Sequence, residues 1–268
     1  MSTSTEERPL ALVTGASSGI GYELARQFAE HGFDLVVTAA DAELATAAQH
    51  LRGDGAQVTA IRTDLSTPAG VDEVYDAVRA TGRPLAAAAL NAGVGAGGAF
   101  ATDPDLADEL RLVDLNVRST VHLAKYVVRD MVGRDEGRIL FTSSIASTMP
   151  GAFQAVYNAS KSFVQSFALA LHEALKDTGV TITSLMPGPT DTEFFERADM
   201  LDTRVGEGPK DDPADVARLG FEALMSGEER VVAASVMTKL QGRAGRVLPD
   251  AAKAKLHRKM AEPGKGKR

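Results

Sequence analysis

The chain of 268 residues contains no cysteine. Disulfides, thiolate nucleophiles and cysteine-ligated metals are therefore excluded, and the absence fits a reducing, cytoplasmic setting. Long apolar runs are also missing. The most apolar stretch, PLAAAALNAGVGAGGAFA, is alanine and glycine with Asn91 inside it, a poor membrane span. The opening MSTSTEERP is polar and acidic, without the charged-then-apolar order of a secretory leader. Residues 1–8 are expected to form a flexible arm. The five histidines, His31, His50, His122, His172 and His257, are scattered rather than set beside carboxylates at metal spacing. They read as surface or core residues, and no metal is expected.

What is present is ordinary globular material, 44% hydrophobic and 24% charged, enough for a sizeable core. Net charge is −7, but residues 239–268 carry ten Lys or Arg against two Asp or Glu. Such a tail can touch nucleic acid. No aromatics interleave its charges as single-strand binders need, so a solvated last helix with a frayed end is the preferred reading and no nucleic-acid partner is expected.

Strand-length apolar runs alternate with segments of helical period. Strands are expected at Leu10–Thr14, 35–39, Val58–Arg62, Leu85–Leu90, 138–142, 180–186 and 231–234. Helices are expected at 20–31, to about 52, from Pro68 to Ala80, 106–132, 157–176 and 213–226. Thr67-Pro68 and Asp212-Pro213 join a capping side chain to a proline suited to a first helical turn. Alternation of this kind implies right-handed βαβ units, hence an α/β fold: a single-domain, doubly wound parallel sheet of seven strands with helices on both faces. The expected domain spans residues 9–235, followed by a basic helical extension, 236–268. Residues 187–212, rich in Gly, Pro, Asp and Thr, read as a lid or binding loop. Its apolar residues Phe194, Phe195, Met200 and Leu201 either close over a substrate or pack beneath the loop.

The first strand runs into TGASSGIG, residues 14–21, with Gly15, Gly19 and Gly21. Glycines here let a ligand approach the main chain, and the helix that follows offers free N–H groups and a positive dipole end to a phosphate. In such sheets this is the place of a dinucleotide. The fourth strand ends in NAG, Asn91-Ala92-Gly93, which permits close passage of a bulky ligand or is a plain tight turn.

The fifth strand leads to Ser144, and the next helix opens with YNASK, placing Tyr157 and Lys161 one turn apart on one face. Taken with TGASSGIG, NAG, Asn116 and PGPTDT (residues 187–192), all in register, the chain resembles the classical short-chain dehydrogenase/reductase family over roughly residues 9–235. The resemblance implies a Rossmann-type fold and an NAD(P)-dependent oxidoreductase acting on CH–OH groups. It implies that Tyr157 gives or takes the proton at the substrate oxygen. Lys161 would bond the nicotinamide ribose and lower the phenol pKa, Ser144 would hold the substrate oxygen, and Asn116 would anchor a water. It places Thr14, Gly15, Ser17, Ser18, Gly19, Ile20 and Gly21 at the pyrophosphate, Asn91, Ala92 and Gly93 beside the ribose, and Asp64 and Leu65 at the adenine. Pro187, Gly188, Thr190 and Thr192 would hold the nicotinamide end. It also implies a homodimer or homotetramer with a small-molecule carbonyl or alcohol as substrate.

The chemistry is sound by itself. Hydride added to a carbonyl leaves an alkoxide that needs a proton. A free tyrosine has a pKa near 10, and a neighbouring cation favours the phenolate. By the same resemblance, the slots that choose between NAD(H) and NADP(H) are Ala39, Ala40 and Ser18, none charged. Asp41 is the nearest charge and should repel a 2′-phosphate, which leans the choice to NAD(H). Arg62 could overturn it. The rival reading is a dinucleotide-binding sensor without turnover. A sugar-nucleotide epimerase would need a larger C-terminal region.

Overall fold

The computed structural model describes residues 7–53, 55–103, 105–233 and 249–266. Seven parallel strands form one sheet in the order β3-β2-β1-β4-β5-β6-β7. They are β1 (Leu10–Thr14), β2 (Asp34–Ala39), β3 (Val58–Arg62), β4 (Leu85–Leu90), β5 (Gly137–Thr142), β6 (Val180–Pro187) and β7 (Arg230–Ala233). The helices between them are α1 (Gly19–Glu30), α2 (Leu44–Gly53), α3 (Pro68–Ala80), α4 (Leu106–Val113), α5 (Ser119–Arg134) and α6 (Ala155–Ala174). After β6 come two short helices, α7 (Phe194–Arg197) and α8 (Arg204–Glu207), then α9 (Pro213–Ser226) and, past β7, α10 (Asp250–Ala261). This is the doubly wound, Rossmann-type architecture expected.

Alternation along the strands builds two cores, one on each face. In β1, Ala11 and Val13 join Phe28 and Phe221 under α1 and α9. Leu10 and Leu12 join Val74, Val127 and Ile182 under α3 and α5. Strands buried on both faces explain why they read as continuous apolar runs. The order reverses between β1 and β4, so their C-terminal ends splay apart into the crevice where such sheets bind ligands.

One expectation needs correction. The helix expected at 106–132 is interrupted by a single π turn, Asp114–Arg118. Its middle residue, Asn116, is tied to the main chain of Val94: Val94 N–H donates to Oδ1, and Nδ2 donates to the Val94 carbonyl, each at 2.9 Å. A widened turn of this type is common at functional sites. The last helix is solvated over most of its surface, as expected, yet it is docked along one edge. Ala261 and His257 are buried, at 2% and 5% exposure, and α10 packs on α8 and the loop after β6. The ends of the extension expected at 236–268, with the last residue of the strand expected at 231–234 and the arm expected at 1–8 save residues 7 and 8, lie outside the described residues.

Candidate active site

The glycine loop is shaped by backbone demands. Gly15 and Gly19 sit at φ +69° and +54°, the left-handed region that favours glycine. A methyl group on Gly21 would run into the Gly15 carbonyl. Ser18 precedes α1 without capping it through its side chain, which leaves first-turn N–H groups for an anion.

Thr14 stands behind this loop. Its Oγ1 accepts the N–H groups of Asn91 and Ala92, each at 2.9 Å. Asn91 returns a bond from Nδ2 to the Thr14 carbonyl at 3.1 Å, and its Oδ1 accepts the Thr142 hydroxyl at 3.0 Å. The ends of β1, β4 and β5 are thus laced together at the reversal of strand order.

One cavity of about 1230 Å³ opens above them. Gly15, Ser17, Ser18, Gly19, Ile20 and Gly21 line it from the loop, Ala39 and Asp41 from the end of β2, and Asp64 and Leu65 from the end of β3. Asn91, Ala92 and Gly93 line it after β4, and Pro187, Gly188, Thr190 and Thr192 at and after the end of β6. Ser144, Tyr157 and Lys161 face the same space. Two of the residues expected to be catalytic or cofactor-binding do not: Thr14 and Asn116 are absent from the lining. Asn116 is 1% exposed, and its amide also donates to Ser160 Oγ at 3.0 Å, joining the β4 exit to α6.

Tyr157 and Lys161 are both buried, which rules out a solvated helix face for the pair. The Lys161 ammonium donates to the Thr142 carbonyl at 2.9 Å. Gly93 allows this: a side chain there would meet Lys161 Nζ at 3.2 Å and Asn116 Oδ1 at 3.1 Å. Ser144 accepts the Ala146 N–H on its Oγ at 3.1 Å, leaving its hydroxyl proton to donate.

Burial works against the acidification of the phenol that the resemblance implies. Burial pushes Tyr157 up to about 12, with a hydrogen bond from Ser144 pulling the other way. Burial also pushes Lys161 down to about 8. Desolvation disfavours each charged form, and one buried ammonium does not outweigh it for the phenolate.

Asp41 accepts the Ser17 hydroxyl on Oδ2 at 2.9 Å, while its buried Oδ1 has no hydrogen-bond partner among the described residues. Arg62 donates to the Ala40 carbonyl at 3.2 Å. Bare glycines, uncapped helix N–H groups and an orphaned carboxylate oxygen fit the phosphates and ribose of a dinucleotide. Among the described residues no group of His, Asp or Glu is arranged to hold a metal ion, and no helix is long and apolar enough to cross a membrane.

At the other end of the cavity, the Phe194 ring lies 5.2 Å from that of Tyr157. Phe195 lines the wall, Met200 is buried beneath the loop, and Leu201 is exposed. Gln154, Arg197 and His257 also line the space. The sequence offered no signal for them, because they reach the cavity from segments far apart in the chain.

The sequence profile of the short chain dehydrogenase family matches residues 9–200. The chain belongs to that family. Short-chain dehydrogenases are NAD(P)-dependent oxidoreductases acting on CH–OH groups, and this protein is one of them. Sulfoacetaldehyde reductase 2 of Chromohalobacter salexigens is 32% identical over 186 residues, 69% of this chain and 74% of the relative. A short-chain dehydrogenase/reductase from Burkholderia phymatum, solved with NAD, superposes with a TM-score of 0.81 at 28% identity over 88% of this chain and 92% of its own. One from Sphingobium yanoikuyae, solved with NADPH, gives 0.77 at 28% identity, with the same coverage of both chains.

Proposed function

We propose that this short-chain dehydrogenase interconverts an alcohol and a ketone or aldehyde, with Tyr157 as the general acid and base. The observation that carries the reading is the convergence of Ser144, Tyr157 and Lys161 on the cavity that the glycine loop also lines. Gly15, Gly19 and Gly21 at one end and Pro187, Gly188 and Thr192 at the other would hold a nicotinamide dinucleotide, which would supply or take the hydride. Everything else falls to the protein. Ser144, oriented by the Ala146 N–H, donates to the substrate oxygen where negative charge develops. Tyr157, protonated at neutral pH like any tyrosine and the more so for its burial, is ready to give its proton in the direction of reduction. Oxidation needs the phenolate. The Lys161 cation, with the added positive charge of an oxidised cofactor, favours that form. Asn116 serves as a positioning residue, fixing Val94 and Ser160 around the lysine.

We favour NAD(H). The unpartnered Asp41 oxygen suits a ribose hydroxyl, and its charge opposes a 2′-phosphate. Arg62 is held on the Ala40 carbonyl. A cytoplasmic setting suits the cysteine-free chain. A homodimer or homotetramer through α4 and α6 is supported by the exposed Leu106, Leu110, Val113 and Phe163, and light scattering reads it directly.

The test is a panel of ketones, aldehydes and alcohols followed by nicotinamide absorbance with each cofactor. Tyr157→Phe should lower turnover about a thousandfold while cofactor affinity stays within about twofold. Near-full activity of this variant would refute the mechanism. Tight cofactor binding with no turnover of any substrate would favour a sensor.

A further inference from the structure

We propose that α10 supplies a second polar anchor in the substrate pocket: Nε2 of His257, an acceptor for a hydroxyl or N–H group on the tail of a carbonyl compound or alcohol that carries no anionic group. The inference rests on the oxidoreductase reading and names the substrate class for it.

His257 is buried yet lines the cavity that holds Tyr157. Its Nδ1 lies 3.0 Å from the Ala152 carbonyl. A carbonyl only accepts, so Nδ1 carries the proton. In the neutral ring Nε2 is then a bare acceptor, and no protein donor reaches it among the described residues. Burial lowers the His257 pKa, which keeps the ring neutral at neutral pH. His257 lines the cavity, so this acceptor is open to a ligand donor, and a neutral hydrogen bond there is worth about 1 kcal/mol.

The ring is firmly held. Ala261 of α10 packs with Phe195, Ala198 and Met200 of the loop after β6. Beyond the helix, the Gly264 N–H donates to Asp202 Oδ2 at 2.7 Å and the Gly266 N–H to the Asp202 carbonyl at 2.8 Å. Arg204 Nε donates to the Lys265 carbonyl at 3.2 Å. On the other side the Arg258 guanidinium lies over the Phe153 ring, 5.5 Å from its centroid. Phe153 itself is held at φ +64°, one residue after the carbonyl that His257 grips.

Charge decides which tail fits. Asp103, Asp105, Asp108, Glu193, Asp199 and Asp202 face this cavity. Its two guanidinium groups are already committed, Arg111 to Asp64 at 3.4 Å and Arg197 to Glu193 at 2.5 Å. The one ammonium on the cavity among the described residues, Lys161, stands with Tyr157 at the reacting end, and the acidic surroundings repel a carboxylate or sulfonate on the tail. This sets the protein apart from a relative named for a sulfonated aldehyde.

The experiment uses the whole protein and three probe series: medium-chain 2-alkanones, their ω-hydroxy counterparts and the matching ω-keto acids. Graded chain length allows for the distance between Tyr157 and His257. The wild type should prefer the hydroxyketone of one length by about tenfold in KM over the plain ketone and should reject the keto acids. His257→Asn keeps a donor for Ala152 and loses the Nε2 acceptor. It should erase the hydroxyketone preference while kcat and the plain-ketone KM hold. His257→Gln places an amide oxygen near the Nε2 position and should restore most of it. Equal loss on both ketone series would make His257 a structural support and overturn the proposal, as would a preference for keto acids. Should no ketone turn over, the oxidoreductase reading fails by itself. The anchor is then read by thermal shift of cofactor-loaded protein with the corresponding diols: stabilisation of the wild type but not of His257→Asn supports it, and equal shifts overturn it.

Discussion

The two ends of the cavity are built by opposite means. At the dinucleotide end the wall is main chain: glycines with no side chain to intrude and helix N–H groups with no cap. At the reacting end the wall is side chain, with Tyr157 beside Phe194 and with Tyr157, Lys161 and His257 all withdrawn from water. The first construction costs conformational entropy, paid in glycines. The second costs desolvation of charge. The lesson is that stability and function should separate at one end and coincide at the other, and substitutions at each can break or sharpen that contrast.

Lys161→Met should show the largest effect. Turnover should fall about a thousandfold, yet the protein should become more stable at pH 7. The folded-state pKa is lowered from 10.5 to about 8. The native state therefore binds this proton less readily than the unfolded chain. The resulting loss of stability is full below pH 8 and is recovered as pH rises from 8 towards 10.5. That shift is worth about 3 kcal/mol. Leaving the Thr142 carbonyl without its donor costs part of this, so a net gain of about 1–2 kcal/mol is expected. Thermal melts at pH 7 and pH 9.5 check it: the gain should shrink at the higher pH. A less stable variant at both would show that the buried charge is well compensated.

Gly21→Ala probes the other end, where function and stability should fall together. The added methyl would collide with the Gly15 carbonyl and lie 2.6 Å from Asn91 Nδ2. A cost of about 2 kcal/mol, a melting temperature lower by about 5 °C and cofactor affinity reduced at least tenfold are expected. Gly133→Ala is the control. It lies within α5 with open space around the new methyl, and should stabilise by about 0.5–1 kcal/mol. Differential scanning calorimetry and cofactor titration separate the pair, and equal effects would remove the special standing of the loop.

The same contrast explains how much the sequence revealed. The dinucleotide end is local: TGASSGIG is one strand, one loop and one helix start, so its purpose shows within eight residues. The central strands were legible because burial on both faces leaves nearly unbroken apolar runs, while the edge strands β3 and β7 are only partly buried. The reacting end is assembled at long range. His257 meets the Ala152 carbonyl across 105 positions, and no local pattern marks such a contact. The π turn at Asn116 was equally hidden, since it follows from the β4 exit rather than from helix propensity. The spacing of Tyr157 and Lys161 likewise shows their proximity but not that both are buried.

Asp41 is where the two ends meet, and the smallest effect is expected there. It lies after β2, accepts Ser17 through Oδ2, and stands 4.0 Å from Arg197 of α7. A ribose hydroxyl donating to Oδ1 would gain about 1 kcal/mol. Asp41→Ala should therefore weaken NAD binding by about fivefold, while NADP, relieved of a nearby negative charge, should hold its affinity or improve. Arg197→Ala should leave NAD affinity within about twofold, because the guanidinium is exposed and such pairs are weak. Calorimetric titration of both cofactors against both variants decides it. If Arg197→Ala weakened NADP alone, the loop after β6 would be reading the 2′-phosphate, and the cofactor end would not be the main-chain construction argued for above.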